Sequence, residues 1–230
     1  MCGLYSFRRS AEEVRSLFGY SETVEFSPRD YVAPGGPIGI VRMLDGSRRF
    51  ALVRWGFVPS WASAIRPGKP LVNARAESIL EKPTFRNAIE RRRCLIPADG
   101  FYQWKGDIPG RKQAFYVHRP QHELFALAGL WERWMGADGR EIETAAIITT
   151  RPTPSLSEIH DRMPAVIMPE DFDRWLDADR HSAEHAVRLL VPPPNDYFTA
   201  EPVDLRRPAS SKAASREAPS SKPADQLKLL

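Results

Sequence analysis

The sequence predicts an α+β fold, with a curved, mostly antiparallel and barrel-like β-sheet as its core and flanking helices. The chain has 230 residues, and domains commonly span roughly 100–200 residues, so a single domain with a sizeable core is expected. Several β-branched and aromatic runs are bounded by Gly, Pro or Asp, which is typical of strands. Because strands and helical segments do not alternate regularly, a parallel doubly wound sheet is disfavoured.

The clearest helix signal lies near the amino terminus. Ser10 and Glu13 match a capping box, and Gly19 is suited to ending a helix in the left-handed conformation. These residues predict a helix over 11–18. Helical spacing predicts further helices at 85–92, 169–176 and 183–190. The strand-like runs predict strands at 38–43, 50–58, 112–119, 124–131 and 143–149.

The positive charge of the chain is concentrated at one end. The formal net charge is +4, and residues 206–230 alone carry six Lys or Arg against two Asp or Glu. The preceding residues are therefore neutral overall, so any polyanion must bind to a local patch of charge. Residues 206–230 are rich in Ala, Ser, Pro and Lys, a composition that cannot offset the entropy of ordering. We predict one domain over 1–205 and a disordered basic tail over 206–230.

Several classes of protein are disfavoured by what the sequence lacks. It has no run of about 18 apolar residues that would cross a membrane, and its start lacks the order of a signal peptide. Cys2 and Cys94 cannot form a disulfide framework, and Cys94 is expected to be a buried thiol. The sequence has no Gly-rich phosphate loop or metal-ligand cluster, so it implies neither a cofactor nor a metal. We expect a monomeric cytoplasmic protein, nucleoid-associated if bacterial.

The opening tripeptide Met1-Cys2-Gly3 offers unusual chemistry. Methionine before a small residue is commonly removed, which would leave Cys2 with an α-amine and a thiol on one carbon. Because the pKa of an α-amine is about 7.7–8.0 against about 10.4 for lysine, its unprotonated fraction at neutral pH is roughly 400-fold larger. Such an amine attacks an aldehyde to give an imine, onto which the thiol closes as a thiazolidine. The tripeptide fits equally an amidotransferase that uses the thiol against glutamine, or a buried structural cysteine.

Polar and aromatic residues are concentrated in a few segments with apolar surroundings. Alternation would place Asn73, Arg75 and Glu77 on one face of an extended strand, a set of groups suited to a phosphate or sugar. The arginines at 91–93 end a predicted helix, where cations either favour the helix dipole or bind phosphate. The other segments are 54–61, 93–105 and 157–164. Taken singly, each segment also fits a strand end with solvated charges.

Taken together, these segments contain five motifs that follow one another along the chain, and the combination is specific to one protein family. They are Met-Cys-Gly at 1–3, Arg-Trp-Gly-Phe-Val-Pro-Ser-Trp at 54–61, Asn-Ala-Arg-Ala-Glu at 73–77, Arg-Cys-Leu-Ile-Pro-Ala-Asp-Gly-Phe-Tyr-Gln-Trp at 93–104 and His-Asp-Arg-Met-Pro at 160–164. From Cys2 to about Asp204 the chain resembles the SOS-response-associated peptidase (SRAP) family. The resemblance implies a DNA-damage protein that senses abasic sites in single-stranded DNA. It further implies a covalent thiazolidine crosslink through the terminal cysteine and self-removal of Met1, that is, lyase-type and peptidase chemistry.

The resemblance also implies roles for individual residues. Cys2 matches the nucleophile, Asn73 the asparagine that holds the cysteine and the opened sugar, and His160 the histidine that assists ring opening and imine chemistry. The residues implied in DNA binding are Arg75 and Arg162 at flanking phosphates, Trp55, Trp61 and Trp104 along the DNA path, and Glu77 as a neighbouring carboxylate.

One position departs from the family pattern. Gln103 stands where the family has a glutamate that transfers protons, and a carboxamide cannot shuttle a proton near neutral pH. We therefore expect slower crosslinking, or proton transfer by His160 or Glu77. The alternatives are a module that binds single-stranded DNA without crosslinking and, with only the tripeptide in its favour, a glutamine amidotransferase-like hydrolase.

Overall fold

The computed structural model describes residues 2–22, 24–65, 70–106, 108 and 112–205. The tail predicted over 206–230 lies outside these residues. Within the described part of the chain, no helix is long and apolar enough to cross a membrane.

Strands make up most of the regular structure. They are β1 Tyr5–Phe7, β2 Arg29–Val32, β3 Pro37–Leu44, β4 Ser47–Trp55, β5 Asn73–Arg75, β6 Arg93–Ala98, β7 Gly100–Lys105, β8 Gln113–His118, β9 Phe125–Met135, β10 Glu141–Thr150, β11 Met163–Pro164, β12 Val166–Ile167 and β13 Thr199–Val203. The α-helices are α1 Ala11–Phe18, α2 Pro83–Arg91, α3 Pro154–Ser157, α4 Phe172–Leu176 and α5 Ala183–Ala186. Short 3₁₀ helices cover Ala76–Ser78, Pro120–His122, Pro169–Asp171 and Val187–Leu189.

Five of these strands close into a barrel. They pair in the order β10-β4-β3-β6-β9, and β9 pairs back with β10. A second sheet has the order β13-β8-β7-β1-β2. Among the described strands, pairing is antiparallel except where β4 and the short β5 run parallel to β10. The predicted α+β class, with a curved and mostly antiparallel barrel-like sheet, is therefore confirmed.

The central barrel strands are buried along most of their length. All residues of β6 are buried, as are the first eight of β9. The helices α4 and α2 pack on these two strands, with Trp175 and Ile89 fully buried. Strands covered on both faces have continuous apolar sequences rather than alternating ones. Cys94 lies on β6 and is 0% exposed, which confirms the prediction of a buried thiol.

Most predicted elements are present, and their shifted boundaries have physical causes. Helix α1 spans 11–18 as predicted, with both hydrogen bonds of its capping box and with Gly19 (φ 66°) at its end. The strand predicted at 50–58 ends earlier, at Trp55, because Gly56 takes a φ of 145° and turns the chain away. The helices predicted at 169–176 and 183–190 are each divided between a 3₁₀ turn and a short α-helix.

The sequence allows two roles for Arg93, a cation at a helix end or a ligand for phosphate. The structure gives it a structural role. Its side chain is 1% exposed and donates to the backbone carbonyls of Ile89, Trp175, Asp177 and His181 at 2.5–3.1 Å. Burial lowers the pKa of this guanidinium to about 10, which still leaves it charged at neutral pH. The bonds connect the ends of α2 and α4 to β6, so Arg93 is not available to a phosphate.

Candidate active site

The amino-terminal segment is held from two directions. The amide of Tyr102 on β7 donates to the carbonyl of Leu4 at 3.0 Å. The buried carboxylate of Asp99 accepts from the hydroxyl of Ser6 and from the amide of Arg8, both at 2.5 Å. These bonds fix β1 against β7, and they thereby set the place from which the first residues of the chain extend.

Asn73 connects the start of the chain to the barrel. It lies on β5, opposite Ile147 in the parallel pairing with β10. Its Nδ2 donates to the carbonyl oxygen of Cys2 at 2.8 Å. Its Oδ1 is buried and has no hydrogen-bond partner among the described residues. One side-chain amide therefore holds Cys2 and also presents a free acceptor.

The thiol of Cys2 is buried and protonated. The residue is 0% exposed, and its Sγ lies 3.9 Å from the carbonyl oxygen of Leu4. Burial raises the pKa of the thiol to about 12. Because the thiolate is the reactive form of cysteine, this sulfur is a weak nucleophile at neutral pH. An α-amine, with its ordinary pKa of about 7.7–8.0, is a better nucleophile toward an aldehyde at neutral pH than this thiol.

Gln103 lies on β7, one residue beyond the contact between Tyr102 and Leu4. It is 3% exposed, and its Nε2 donates to the carbonyl oxygen of Arg162 at 3.0 Å. Its Oε1 is buried and unpaired within the described residues. A glutamate at this position would meet the same carbonyl only as the protonated acid, since a carboxylate has no hydrogen to donate.

His160 lies just before β11, and its side chain is 24% exposed. Its Nδ1 accepts from the backbone amide of Arg162 at 3.0 Å and lies 2.8 Å from Oδ1 of Asp161. Burial, and after it the positive charge of the amino terminus, lowers the pKa of His160 below 6.5. The ring is therefore neutral at neutral pH. Nδ1 therefore has a donor, the Arg162 amide, and an acceptor, the Asp161 carboxylate, within hydrogen-bond distance, and these contacts suit either tautomer of the neutral ring.

Arg162 is held within the site by an ion pair. Its guanidinium donates to both carboxylate oxygens of Glu77 at 2.7 and 2.9 Å and to the carbonyl of Thr149 at 2.5 Å. Its side chain is 13% exposed. Hydrogen bonds from Arg162 are the largest cause that lowers the pKa of Glu77 below 4.5. Glu77 therefore accepts the hydrogen bonds that Arg162 would donate to a bound phosphate.

The predicted strand face is only partly correct. Asn73 and Arg75 lie on β5, but Glu77 lies in the 3₁₀ helix that follows. The strand ends at Arg75 because its partner β10 itself ends at Thr150, shortly before Pro152. The 3₁₀ turn then brings Glu77 to the Arg162 side chain instead of extending the strand.

The aromatic residues predicted for a DNA path have different surroundings. Trp61 is 65% exposed, and Trp104 is half-buried on β7. Trp55, by contrast, is 0% exposed, so its prediction as a DNA contact is corrected. Its Nε1 donates to the carbonyl of Val72 at 3.0 Å, and the ring of Tyr5 meets it edge-on at 5.5 Å. Trp55 therefore supports the peptide that precedes Asn73 from within the core.

Sequence reasoning missed two residues at this site. Thr149 accepts from Arg162, and the exposed Arg151 is a further cause of the lowered pKa of Glu77. Thr149 is the last residue of the strand predicted at 143–149 and Arg151 follows it by two residues, and this position at a strand end was the available signal. Within the described ranges, no group of three or more His, Cys, Asp or Glu side chains could hold a metal ion.

A family-level match covers nearly the whole chain. The model of the SOS response associated peptidase (SRAP) family matches residues 1–206. The protein belongs to this family, and the resemblance inferred from the motifs is confirmed.

Similar proteins occur in a bacterium and in a mammal. The abasic site processing protein YoqW of Bacillus subtilis is 36% identical over 196 residues, which are 84% of this chain and 87% of YoqW. The abasic site processing protein HMCES of Rattus norvegicus is 30% identical over 176 residues, which are 64% of this chain and 50% of HMCES.

Solved structures share the architecture. A protein from Bacteroides thetaiotaomicron matches with a TM-score of 0.79 at 26% identity, covering 89% of this chain and 93% of that one. A protein from Bordetella bronchiseptica matches with a TM-score of 0.75 at 27% identity, covering 89% of this chain and all of that one.

Glu77→Gln should lower stability at neutral pH and have no effect in acid. Because Arg162 depresses the pKa of this carboxyl, the pair stabilises the fold above the ordinary pKa and is lost as pH falls through the depressed value. The Glu77 side chain is 41% exposed, so screening limits the effect to about 1 kcal/mol or less. Thermal unfolding at about pH 7 and about pH 3 measures the difference. A loss that persists in acid, or that the control Glu81→Gln reproduces, would contradict the ion-pair explanation.

Proposed function

We propose that this protein captures abasic sites in single-stranded DNA by bonding covalently through Cys2. The observation that carries the proposal is the hydrogen bond from Asn73 to the Cys2 carbonyl. It holds the residue that becomes the amino terminus once Met1 is removed, in a site that also contains Gln103 and His160. The relatives YoqW and HMCES are named abasic site processing proteins, which supports the same substrate.

The capture reaction has two steps. The α-amine of Cys2 attacks the aldehyde carbon of the opened sugar, and loss of water gives an imine. The thiol then adds across the carbon–nitrogen double bond, so that sulfur bonds to carbon, the thiol proton passes to nitrogen and the thiazolidine closes. The burial that raises the pKa of the thiol to about 12 keeps the sulfur protonated until the imine has formed.

Neutral side chains manage the protons of the first step. As a neutral base, His160 takes the proton of the sugar's anomeric hydroxyl and returns it to the ring oxygen as the sugar opens. It then takes a proton from the attacking amine, and the imidazolium so formed gives that proton to the hydroxyl that leaves as water. The free Oδ1 of Asn73 accepts from the attacking amine. A positioned acid–base group commonly contributes about 10²–10⁴-fold to a rate, so His160 carries much of the proton transfer where Gln103 cannot.

Binding of the intact strand depends on surface groups. The exposed Arg75 binds a phosphate, and Trp61, which is 65% exposed, offers a ring on which a base stacks. Trp104 extends this surface along β7. Arg162 reaches a flanking phosphate where that phosphate displaces Glu77 from its guanidinium.

Removal of Met1 is part of the proposal, because only then does Cys2 carry a free amine. The family description names a peptidase, which supports removal of Met1 by the protein itself. The amine so released has a pKa of about 7.7–8.0 before its surroundings act on it, so a usable fraction is unprotonated at neutral pH.

Intact-mass spectrometry tests the capture reaction directly. Protein incubated with an abasic single-stranded oligonucleotide should gain the mass of the oligonucleotide less one water. The adduct should survive denaturant and high salt because it is covalent. Cys2→Ala is the matched control: it lacks the thiol that closes the ring, so it should give no adduct that survives denaturation, while it binds undamaged single-stranded DNA like the wild type.

The same experiment separates the competing functions. A module that only binds DNA would give a complex whose affinity falls steeply with salt, because its phosphate contacts release counterions. An amidotransferase would release ammonia from glutamine and ignore abasic DNA. Protein that has lost Met1 and still forms no adduct would contradict the proposal.

Gln103→Glu should accelerate capture. Position 103 faces the carbonyl of Arg162, so an acid there is favoured in its protonated form and carries a transferable proton near neutral pH. We expect the initial rate to rise by about 10-fold or more, toward the usual range for such groups. Quenched time courses on an abasic oligonucleotide measure the rate, and Gln113→Glu on β8 serves as the control. An unchanged rate would show that Gln103 does not limit capture.

A further inference from the structure

A cleft of about 390 Å³ opens on the second sheet, on the face that points away from the candidate active site. Its walls include Arg8 and four aromatic residues, and residues 203–205 close one end. Successive side chains of a strand point to opposite faces. On β7, Gln103 faces the active site, so its neighbour Tyr102 lies on the other face and lines the cleft.

The aromatic walls combine a packed pair of rings with two accessible ones. The rings of Tyr102 and Tyr116 are 5.0 Å apart, and both residues are buried. The ring of Tyr31 lies 5.5 Å from that of Tyr102 and is 45% exposed. The ring of His122 lies 6.1 Å from that of Tyr116, and the residue is exposed. Tyr31 and His122 therefore offer ring surface on which a flat molecule can stack.

The backbone that presents His122 is strained. Gln121 and His122 have φ values of 56° and 54°, in the left-handed region that residues other than glycine rarely adopt. Their carbonyls both accept from the guanidinium of Arg9, at 3.2 and 2.5 Å, and the His122 ring stacks on that of His118 at 4.1 Å. Strain of this kind is found mainly at binding and catalytic positions. The turn therefore indicates a function for the exposed His122 ring.

The charges of the cleft favour an uncharged ligand. The guanidinium of Arg8 lies 4.8 Å from the centre of the Tyr116 ring and is paired with Asp30 at 3.0 Å. Arg8 would repel a further cation, and the carboxylates of Asp30 and Asp204 would repel a phosphate. Burial raises the pKa of Tyr102 and Tyr116 to about 12, so both phenols are neutral. A flat, uncharged ring with polar edges fits these conditions, and a nucleobase is such a ring.

We propose that this cleft binds a base of single-stranded DNA, in a nucleotide that flanks the one held at Cys2. The inference rests on the proposed function and adds a second contact with the same strand. The exposed rings of Tyr31 and His122 stack on the base, an interaction that tolerates any sequence. The guanidinium of Arg8 carries five N–H donors, and it donates to the polar edge of the base.

The row of side chains beside Tyr102 connects the cleft to the proposed path of the DNA. Trp104 lies on the same face of β7 as Tyr102, because the two are separated by one residue. Ala114 lies opposite Trp104, and Val203, which lines the cleft, lies opposite Ala114. Trp104 therefore borders the cleft, while Gln103 on the other face lines the active site. A strand that crosses the end of β7 over Trp104 reaches both.

Photocrosslinking locates the bound base. Undamaged single-stranded DNA that carries iodouracil at one position at a time is irradiated with the wild-type protein, and modified tryptic peptides are identified by mass spectrometry. Residues 30–42 form one tryptic peptide, in which Tyr31 is the only aromatic residue. We expect an adduct on this peptide. Its absence at every iodouracil position would overturn the inference.

Tyr31→Ala measures the contribution of the cleft to binding. Loss of one stacked base should weaken the affinity for undamaged single-stranded DNA by about 10-fold. The DNA concentration that half-saturates capture should rise by the same factor, while the capture rate at saturation stays unchanged. Tyr31→Phe keeps the ring and should behave like the wild type. Leu52→Ala is the matched control, because Leu52 is 52% exposed on β4, outside the cleft.

His122→Asn is the second variant of the cleft. Asparagine tolerates the left-handed backbone of this position, so the turn is kept and only the ring is lost. We expect a weaker affinity for undamaged DNA here too. If either variant has a lower melting temperature, the photocrosslink of the wild-type protein decides.

The outcomes separate this inference from the proposed function. If the wild type captures abasic DNA and Tyr31→Ala binds undamaged DNA as tightly as the wild type, the inference is overturned and the proposed function stands. A lower capture rate at saturation with unchanged affinity would mean a disturbed active site, and would also overturn it. If the wild type does not capture, the proposed function fails, while an adduct on residues 30–42 and weaker binding by Tyr31→Ala would still establish the base-binding cleft.

Discussion

The hydrogen bond between the side chain of Asn73 and the carbonyl of Cys2 fixes the residue on which the proposed chemistry depends. Its two partners are 71 residues apart in the chain and 2.8 Å apart in space. Asn73 belongs to β5, which pairs with β10, and β10 is a member of the closed barrel. The start of the chain, which in most proteins is poorly ordered unless tied down, is here tied to the core. The contacts of Gln103 and His160 with the backbone of Arg162 then complete the surroundings of a fixed residue.

Burial keeps the groups around Cys2 either uncharged or paired with an opposite charge. The thiol is protonated because burial raises its pKa to about 12, and the imidazole of His160 is neutral because burial lowers its pKa. Gln103 carries no charge at any pH, and the guanidinium of Arg162 is matched by the carboxylate of Glu77. An unpaired charge in such a place is costly. The site therefore relies on neutral donors and acceptors, which suits the proposed order in which nitrogen reacts before sulfur.

Much of the fold could be predicted from the sequence, and the placement of individual site residues could not. The capping box fixed the bounds of α1 because its hydrogen bonds are local. The end of β4 at Trp55 depends on the conformation of Gly56, and the departure of Glu77 from its strand depends on where β10 ends. Trp55 is a further example. The sequence of a motif does not indicate whether its aromatic residue faces solvent or the core. Motifs identified the residues, and only tertiary pairing determined their neighbours.

The most direct test of the central claim is the capture rate of Asn73→Leu. Leucine is close to asparagine in size but cannot donate to the Cys2 carbonyl, so the substitution removes the bond and keeps the volume. We predict an initial rate on abasic single-stranded DNA that is lower by about 10²-fold, as misplaced reacting groups commonly cause. Affinity for undamaged DNA should be unchanged, and the capture rates are compared on protein that has lost Met1. Capture by Asn73→Leu at the wild-type rate would contradict the claim that this bond positions Cys2.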